Sequence, residues 1–293
     1  GLMAFAGLSS IQTANLSNTS SVIENDSLNT VSSSQTKSNT VTAQSKKNSL
    51  QSYWRFNNPI RKEYSLEFDG SDDSVVTDYN NIGEANQSFT ISGWFKSSTK
   101  SLSKNHYFVS NYVDSGHDGM IAIGSDNSTK GILFRVRDNT RSNSVELGYY
   151  KPAFDGKWHH YTGIRNASSN TVSFYIDGEL KETASFPGDV SVKDSDSYIG
   201  LMQHVGSRYL EGSINNVKIY NRPLRNSEVQ KLYERKPVSR RGIVLHQSFN
   251  EGPKNCNLNS TNDCIQDFST HTNTGTPQGF EDNRIDTGSG WSI

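Results

Sequence analysis

The sequence predicts an all-β fold, a sandwich of two antiparallel sheets, on three observations. Between residues 64 and 235 short runs alternate apolar and polar residues with the period of two that half-buried strands show. Gly, Asp and Asn punctuate the gaps at regular spacing, as in antiparallel sandwiches rather than βαβ units. Only one stretch carries a helical pattern, Ser227-Glu-Val-Gln-Lys-Leu-Tyr233, with Ser227 as its expected N-cap.

In chain order, the first 52 residues form an apolar start and a tract in which Ser, Thr and Asn dominate. Such a tract has too little apolar surface to offset the entropy of ordering, so residues 1–52 are expected to be a flexible or glycosylated stalk. The sandwich is expected over residues 53–236, opening on Tyr53-Trp-Arg-Phe56. Its strands are expected at 65–68, 89–95, 107–112, 120–124, 132–137, 145–149, 159–165, 171–176, 197–201 and 213–220. Along 89–95, Phe89, Ile91 and Gly93 should face one way and Trp94 the other, and Phe174 with Ile176 should pack between the sheets. Asp177-Gly178 suits a two-residue hairpin turn, because Gly accepts positive φ. Residues 237–242 are rich in Arg and read as a solvated linker. Residues 243–293 resemble the opening of a second, incomplete module, although the same piece could pack on the first.

Composition narrows the classes of partner. A formal net charge of −1 gives no electrostatic reason to expect nucleic acid or acidic lipid. No apolar run is long enough to span a bilayer, so the sandwich itself is expected to make no membrane contact. Gly1-Leu-Met-Ala-Phe-Ala-Gly-Leu8 reads either as a short unstructured end or as the tail of an apolar segment before Gly1 that could anchor the chain. Cys256 and Cys264, separated by seven polar residues, make a poor zinc site. They are expected to form a local disulfide, which favours an export compartment and hence a secreted or cell-surface protein.

Four segments in order carry a family resemblance: Leu66-Glu-Phe-Asp-Gly70, Phe89-Thr-Ile-Ser-Gly-Trp-Phe95, Trp158-His159 leading to the Asp177-Gly178 hairpin, and Val217-Lys-Ile-Tyr-Asn-Arg222. Together they resemble the laminin-G-like group of concanavalin A-like jelly rolls. That resemblance implies a jelly-roll sandwich used for binding and adhesion, with a glycan or a cell-surface protein as partner. It also implies a structural Ca²⁺ between the first and last strands, with Asp69 and Asn215 at the matching positions. Asn215 stands where the closing strand commonly carries Asp, and a neutral amide is the weaker ligand. The alternative is that Asp69, with Asp72 and Asp73, simply builds a turn.

No catalytic constellation emerges, and no catalytic residue is nominated. Glycosidases of related sandwiches carry carboxylates on one strand in a Glu-x-Asp-x-(x)-Glu pattern, and none is present. Glu179-Leu-Lys-Glu182 is interrupted by a cation, and Asp194-Ser-Asp196 lacks a third acid. His159 and His160, adjacent on a strand, should point to opposite faces and cannot share one metal ion. Tyr112, His117, Tyr149, Tyr150, His204 and Tyr209 could stack on sugars, but nothing in the sequence ranks them. The expectation is a non-catalytic extracellular binding module. Its alternatives are an accessory carbohydrate-binding module of a larger secreted hydrolase and the structural head of a pilin-like or envelope protein.

Overall fold

The computed structural model describes residues 12–15, 31–33, 40–43, 64–79, 82–97, 105–112, 119–126, 131–149, 153–190, 196–202, 208–250, 265–271, 273–280 and 285–286. Contacts divide the chain into two compact units, 1–61 and 62–293. The first holds three short antiparallel strands, β1 (Gln12–Asn15), β2 (Val31–Ser33) and β3 (Thr40–Ala43), with β3 in the middle. Strands thus occur where the sequence predicts only a stalk, and Val31 and Thr40-Val-Thr42 are the β-branched residues that favour them.

The second unit contains β4 (Ser65–Asp69), β5 (Ser74–Thr77), β6 (Phe89–Lys96), β7 (Tyr107–Asn111), β8 (Met120–Asp126), β9 (Gly131–Arg137) and β10 (Ser144–Tyr149). There follow β11 (Trp158–Asn166), β12 (Thr171–Ile176), β13 (Glu179–Ser185), β14 (Ser197–Ile199), β15 (Leu201–Met202), β16 (Arg208–Tyr209) and β17 (Glu211–Tyr220). The chain closes with α1 (Asn226–Tyr233), β18 (Ile243–Gln247), β19 (Gly275–Gln278) and β20 (Ile285–Asp286). One sheet runs β10-β9-β8-β7-β14-β5-β19, the other β13-β12-β11-β6-β17-β4-β20 with β18 also on β17, and every pairing is antiparallel. Two such sheets enclosing one core make the predicted jelly-roll sandwich. Among the described residues no helix is long and apolar enough to cross a membrane.

The core lies between the sheets and follows the alternation of the strands. Phe89, Ile91 and Phe95 of β6 meet Phe134, Phe174 and Ile176 there, all essentially inaccessible. Burying each such side chain contributes about 1.5–3 kcal/mol. Phe95 stacks on Phe108 at 4.2 Å between ring centroids. The other side of β6 is also buried: Trp94 packs against His160 at 5.1 Å and Tyr233 of α1 at 5.8 Å. Val229 and Leu232 of α1 join Ile164, Tyr175, Tyr220 and Ile243 in a second cluster on that outer face. The helix begins one residue before Ser227, with Arg225 at the N-cap, where the Glu228 carboxylate accepts the Arg225 N–H at 3.0 Å. The Glu at N3 thus satisfies the N-cap N–H, one half of a capping box.

The residues after α1 belong to the same sandwich. Arg235 lies 4.8 Å over the Trp94 ring, and Arg240 donates to the carbonyl of Phe268, so the basic stretch is fastened at both ends. β18 pairs with β17 from Val217 to Tyr220, β20 with β4 and β19 with β5, so the segment from 243 adds two strands to one sheet and one to the other. Phe249, Ile265 and Phe280 enter the main core. The second-module expectation for 243–293 therefore gives way to its alternative over the described residues. The opening strand of a sandwich and this closing strand share the same apolar run, Ile243-Val-Leu245, which is why sequence alone does not separate them.

Candidate functional site

The β4–β5 turn gathers three carboxylates. Ligand oxygens of Asp69, Asp72 and Asp73 lie within 4.8 Å of one another, with Asp69 and Asp72 exposed and Asp73 buried. The Asp73 Oδ2 accepts the Asp69 N–H at 2.7 Å, and Asp69 Oδ1 accepts the Ser71 N–H at 2.8 Å, an Asx-type turn. Gly279, at φ +82°, closes against the Asp72 backbone just beyond β19, a contact that leaves no room for a Cβ. Three oxyanions in one turn suit a hard divalent cation by donor chemistry.

Asn215 is elsewhere. In the β17–β4 ladder Glu211 stands opposite Asp69, four positions from Asn215. The Asn215 Nδ2 donates to the carbonyls of Tyr64 and, at 3.1 Å, Ser248. It closes the junction at which β4 and β18 meet along one edge of β17. The structure does not bring Asp69 and Asn215 together, and it supplies Asp72 and Asp73 in place of the amide. Cys256, Cys264, His117, Tyr150 and His204 lie outside the described residues.

The paired histidines diverge as the strand period requires. His160 is buried beside Trp94, with Nε2 3.0 Å from Ser92 Oγ. Burial, with the nearby Lys218 charge, pushes its pKa down to about 3, so the ring is neutral. His159 instead bridges Asp177 (Nδ1 to Oδ2, 2.8 Å) and Asp155 (Nε2 to Oδ1, 3.2 Å). The predicted turn carries Asp177 at φ +54° and Gly178 at φ +79°, the backbone of a tight I′ hairpin. The Asp177 carboxylate also accepts the His160 N–H at 2.8 Å. This constellation fixes β11 to the hairpin.

On the outer side of the seven-stranded sheet Tyr107, Tyr112, Met120, Ala122 and Met202 form a small buried apolar cluster, separate from the main core. Arg135 and Glu146, directly opposite across β9–β10, form an ion pair in which Nε and Nη2 both reach Oε2, the Nε contact at 2.7 Å. Two positions along β9, Arg137 lies 5.0 Å over the Tyr112 ring. Tyr149, by contrast, packs against the core with Lys181 5.0 Å over its ring, and Tyr209 is half-buried in β16. A separate open cleft of about 1040 Å³ lies at the start of α1, lined by Arg222, Arg225, Arg241, Asn166 and Asn221. Arg222 there is bound to Glu228 at 2.7 Å, which also holds the Glu228 carboxyl down to about 2.

The fold and these surfaces define a lectin-type sandwich. The model of a laminin G family within the concanavalin A-like lectin/glucanases superfamily matches residues 69–230, more than half of the chain. The chain belongs to that family. A protein of Bacteroides ovatus described as carbohydrate-binding shares the fold at a TM-score of 0.57 and 16% identity, over 84% of this chain and 66% of that one. The heptameric SAP-like pentraxin of Limulus polyphemus is similar at 0.45 and 11% identity, over 59% of this chain and 83% of that one. Domains LG4-5 of the mouse laminin alpha1 chain are similar at 0.42 and 10% identity, over 56% and 43% of the two chains. No curated protein matches the sequence significantly.

Proposed function

We propose that the chain is a non-catalytic recognition module, secreted or displayed at the cell surface, that binds a glycan. The observation that carries this is the match of residues 69–230 to a laminin G family of the concanavalin A-like lectin/glucanases superfamily. Many of the acids that could serve a hydrolase are held by cations instead: Glu146 by Arg135, Glu228 by Arg222 and Asp177 by His159.

Calcium, in this reading, is a structural ion held by Asp69, Asp72 and Asp73 rather than by Asn215. When bound it would neutralise the turn that β19 presses upon and supply no chemistry. Screening the full chain on immobilised glycans, in calcium and again in EDTA, tests both parts. Saturable binding to a sugar class is expected, and binding to none would end the lectin reading. Calcium at a hundredfold its Kd should add about 2.7 kcal/mol of stability, seen as a rise of several degrees in Tm. Asp72→Asn, at an exposed position, should abolish that rise.

A further inference from the structure

The end of β17, the start of α1 and the basic connector border the open cleft, and its arginines are of two kinds. Arg222 is fully engaged. Its Nη1 and Nη2 donate to the two Glu228 carboxylate oxygens at 3.0 and 2.7 Å, and its Nε donates to the Arg241 carbonyl at 2.7 Å. Those bonds tie the connector to the first turn of α1 and fix the walls of the cleft. Gly242, at φ +72°, accepts the Asn221 N–H at 2.8 Å, and a Cβ there would come within 2.6 Å of Asn221 Oδ1. Arg225 and Arg241, by contrast, are exposed, and no carboxylate or carbonyl among the described residues meets either guanidinium. Water solvates both in the free protein, so they cost little unpaired and stay available to a ligand. The Asn221 side-chain amide is equally uncommitted, and Asn166 uses only its Oδ1, which accepts from Ser168 and Ser169.

We infer that this cleft binds an acidic saccharide, with Arg225 and Arg241 on its acid groups and the two asparagines on its hydroxyls. This rests on the glycan-binding reading above and gives it a place and a charge. Three features set the chemistry. Arg222, Arg225 and Arg241 face Glu228 as the one carboxylate of the lining, an excess of positive charge that selects anions. The volume of about 1040 Å³ matches the largest ordinary ligand clefts, about 1,000 Å³, and so admits an oligosaccharide rather than a lone ion. A sugar hydroxyl both donates and accepts, as does the Asn221 amide, which favours a saccharide over an acidic peptide.

The test titrates the full chain with two matched pairs, galacturonan against its methyl ester and dextran sulfate against dextran, and with polyglutamate. An acidic member should bind about tenfold more tightly than its neutral twin, and the pair that shows this names the acid group. Arg225→Gln and Arg241→Gln should each weaken that preference and together abolish it. Tm should not change, because the backbone groups that bond to Glu228 and Arg222 stay in place. Lys231→Gln removes an exposed cation of α1 outside the cleft and should leave the preference intact. Equal binding of acidic and neutral twins would overturn the inference. So would a preference that survives the double variant or falls as far in Lys231→Gln, or tighter capture of polyglutamate than of any saccharide. Equal binding of the twins leaves sugar recognition standing, whereas binding to no saccharide overturns both readings.

Discussion

His159 and Asp177 are joined by a 2.8 Å hydrogen bond from ring Nδ1 to carboxylate Oδ2, across the mouth of the β12–β13 hairpin. That bond raises the His159 pKa above its ordinary value against the opposing effect of burial. Burial works against ionisation of Asp177 too, but the bonds from His159 and the His160 N–H hold its carboxyl below the usual range. A raised histidine contributes stability that is complete below the unfolded pKa and is lost as pH rises through the folded one. A depressed aspartate contributes stability that is complete above its unfolded pKa and is lost as pH falls through the folded one. The pair is therefore strongest between about pH 4 and 6.5. His159→Gln should lose its stability deficit relative to wild type as the pH is raised from 6 to 8, read from urea midpoints.

Two other imidazoles act in the opposite sense. His160 and His246 are both pushed to about 3, by burial first and by the Lys218 charge next. The unfolded chain takes up protons near pH 6.5 that the folded chain refuses, so stability falls as the pH drops from there towards 3. The slope is at most about 1.4 kcal/mol per pH unit for each ring. His246→Gln, which can still bond to Asn216, should flatten the acid limb without altering the midpoint at pH 7.5.

Asn215 satisfies two carbonyls at the β4–β18 junction, so its removal should act on stability and not on metal affinity. Asn215→Ala should cost about 1–3 kcal/mol by denaturant titration. Asn215→Asp, which would strengthen a calcium ligand, should instead destabilise at least as much, because a carboxylate faces two carbonyls. It should leave the calcium-induced shift in Tm unchanged.

Deleting everything from Ile243 onward strips β18 and β20 from one sheet, β19 from the other, and Phe249, Ile265 and Phe280 from the core. The shortened chain should lose its cooperative melt and aggregate through the bared edge of β17. A soluble, cooperatively folding fragment 62–242 would contradict the strand pairing described above.

Much of the fold was legible because the central strands are buried or alternate strictly: Phe89, Ile91, Trp94, Phe174 and Ile176 all face as their spacing predicts. The Asp177-Gly178 turn was legible for its chemistry. β13 was not, since an outermost strand of exposed Glu, Lys and Thr carries little apolar signal. The site was less legible still. Asp69 was singled out by a motif, but its neighbours Asp72 and Asp73 converge through a turn whose geometry only the backbone settles. Arg137 carries no motif, and only the folded strands bury its Nε and Nη2 without an acceptor.

β17 carries β4 and β18 end to end on one edge, and the Tyr64 N–H bonds to Asn250, 186 residues later in the chain. A ribosome releases these partners at opposite ends of the synthesis of this unit. Until the last of them emerges, β17 holds half an unpaired edge beside a hydrophobic interior that is not yet closed, and so many distant pairings make for slow folding. The nascent chain should therefore be most prone to aggregate until residues 243–250 are free. Mutations in this late-arriving segment should reduce yield in the cell far more than they weaken the finished protein.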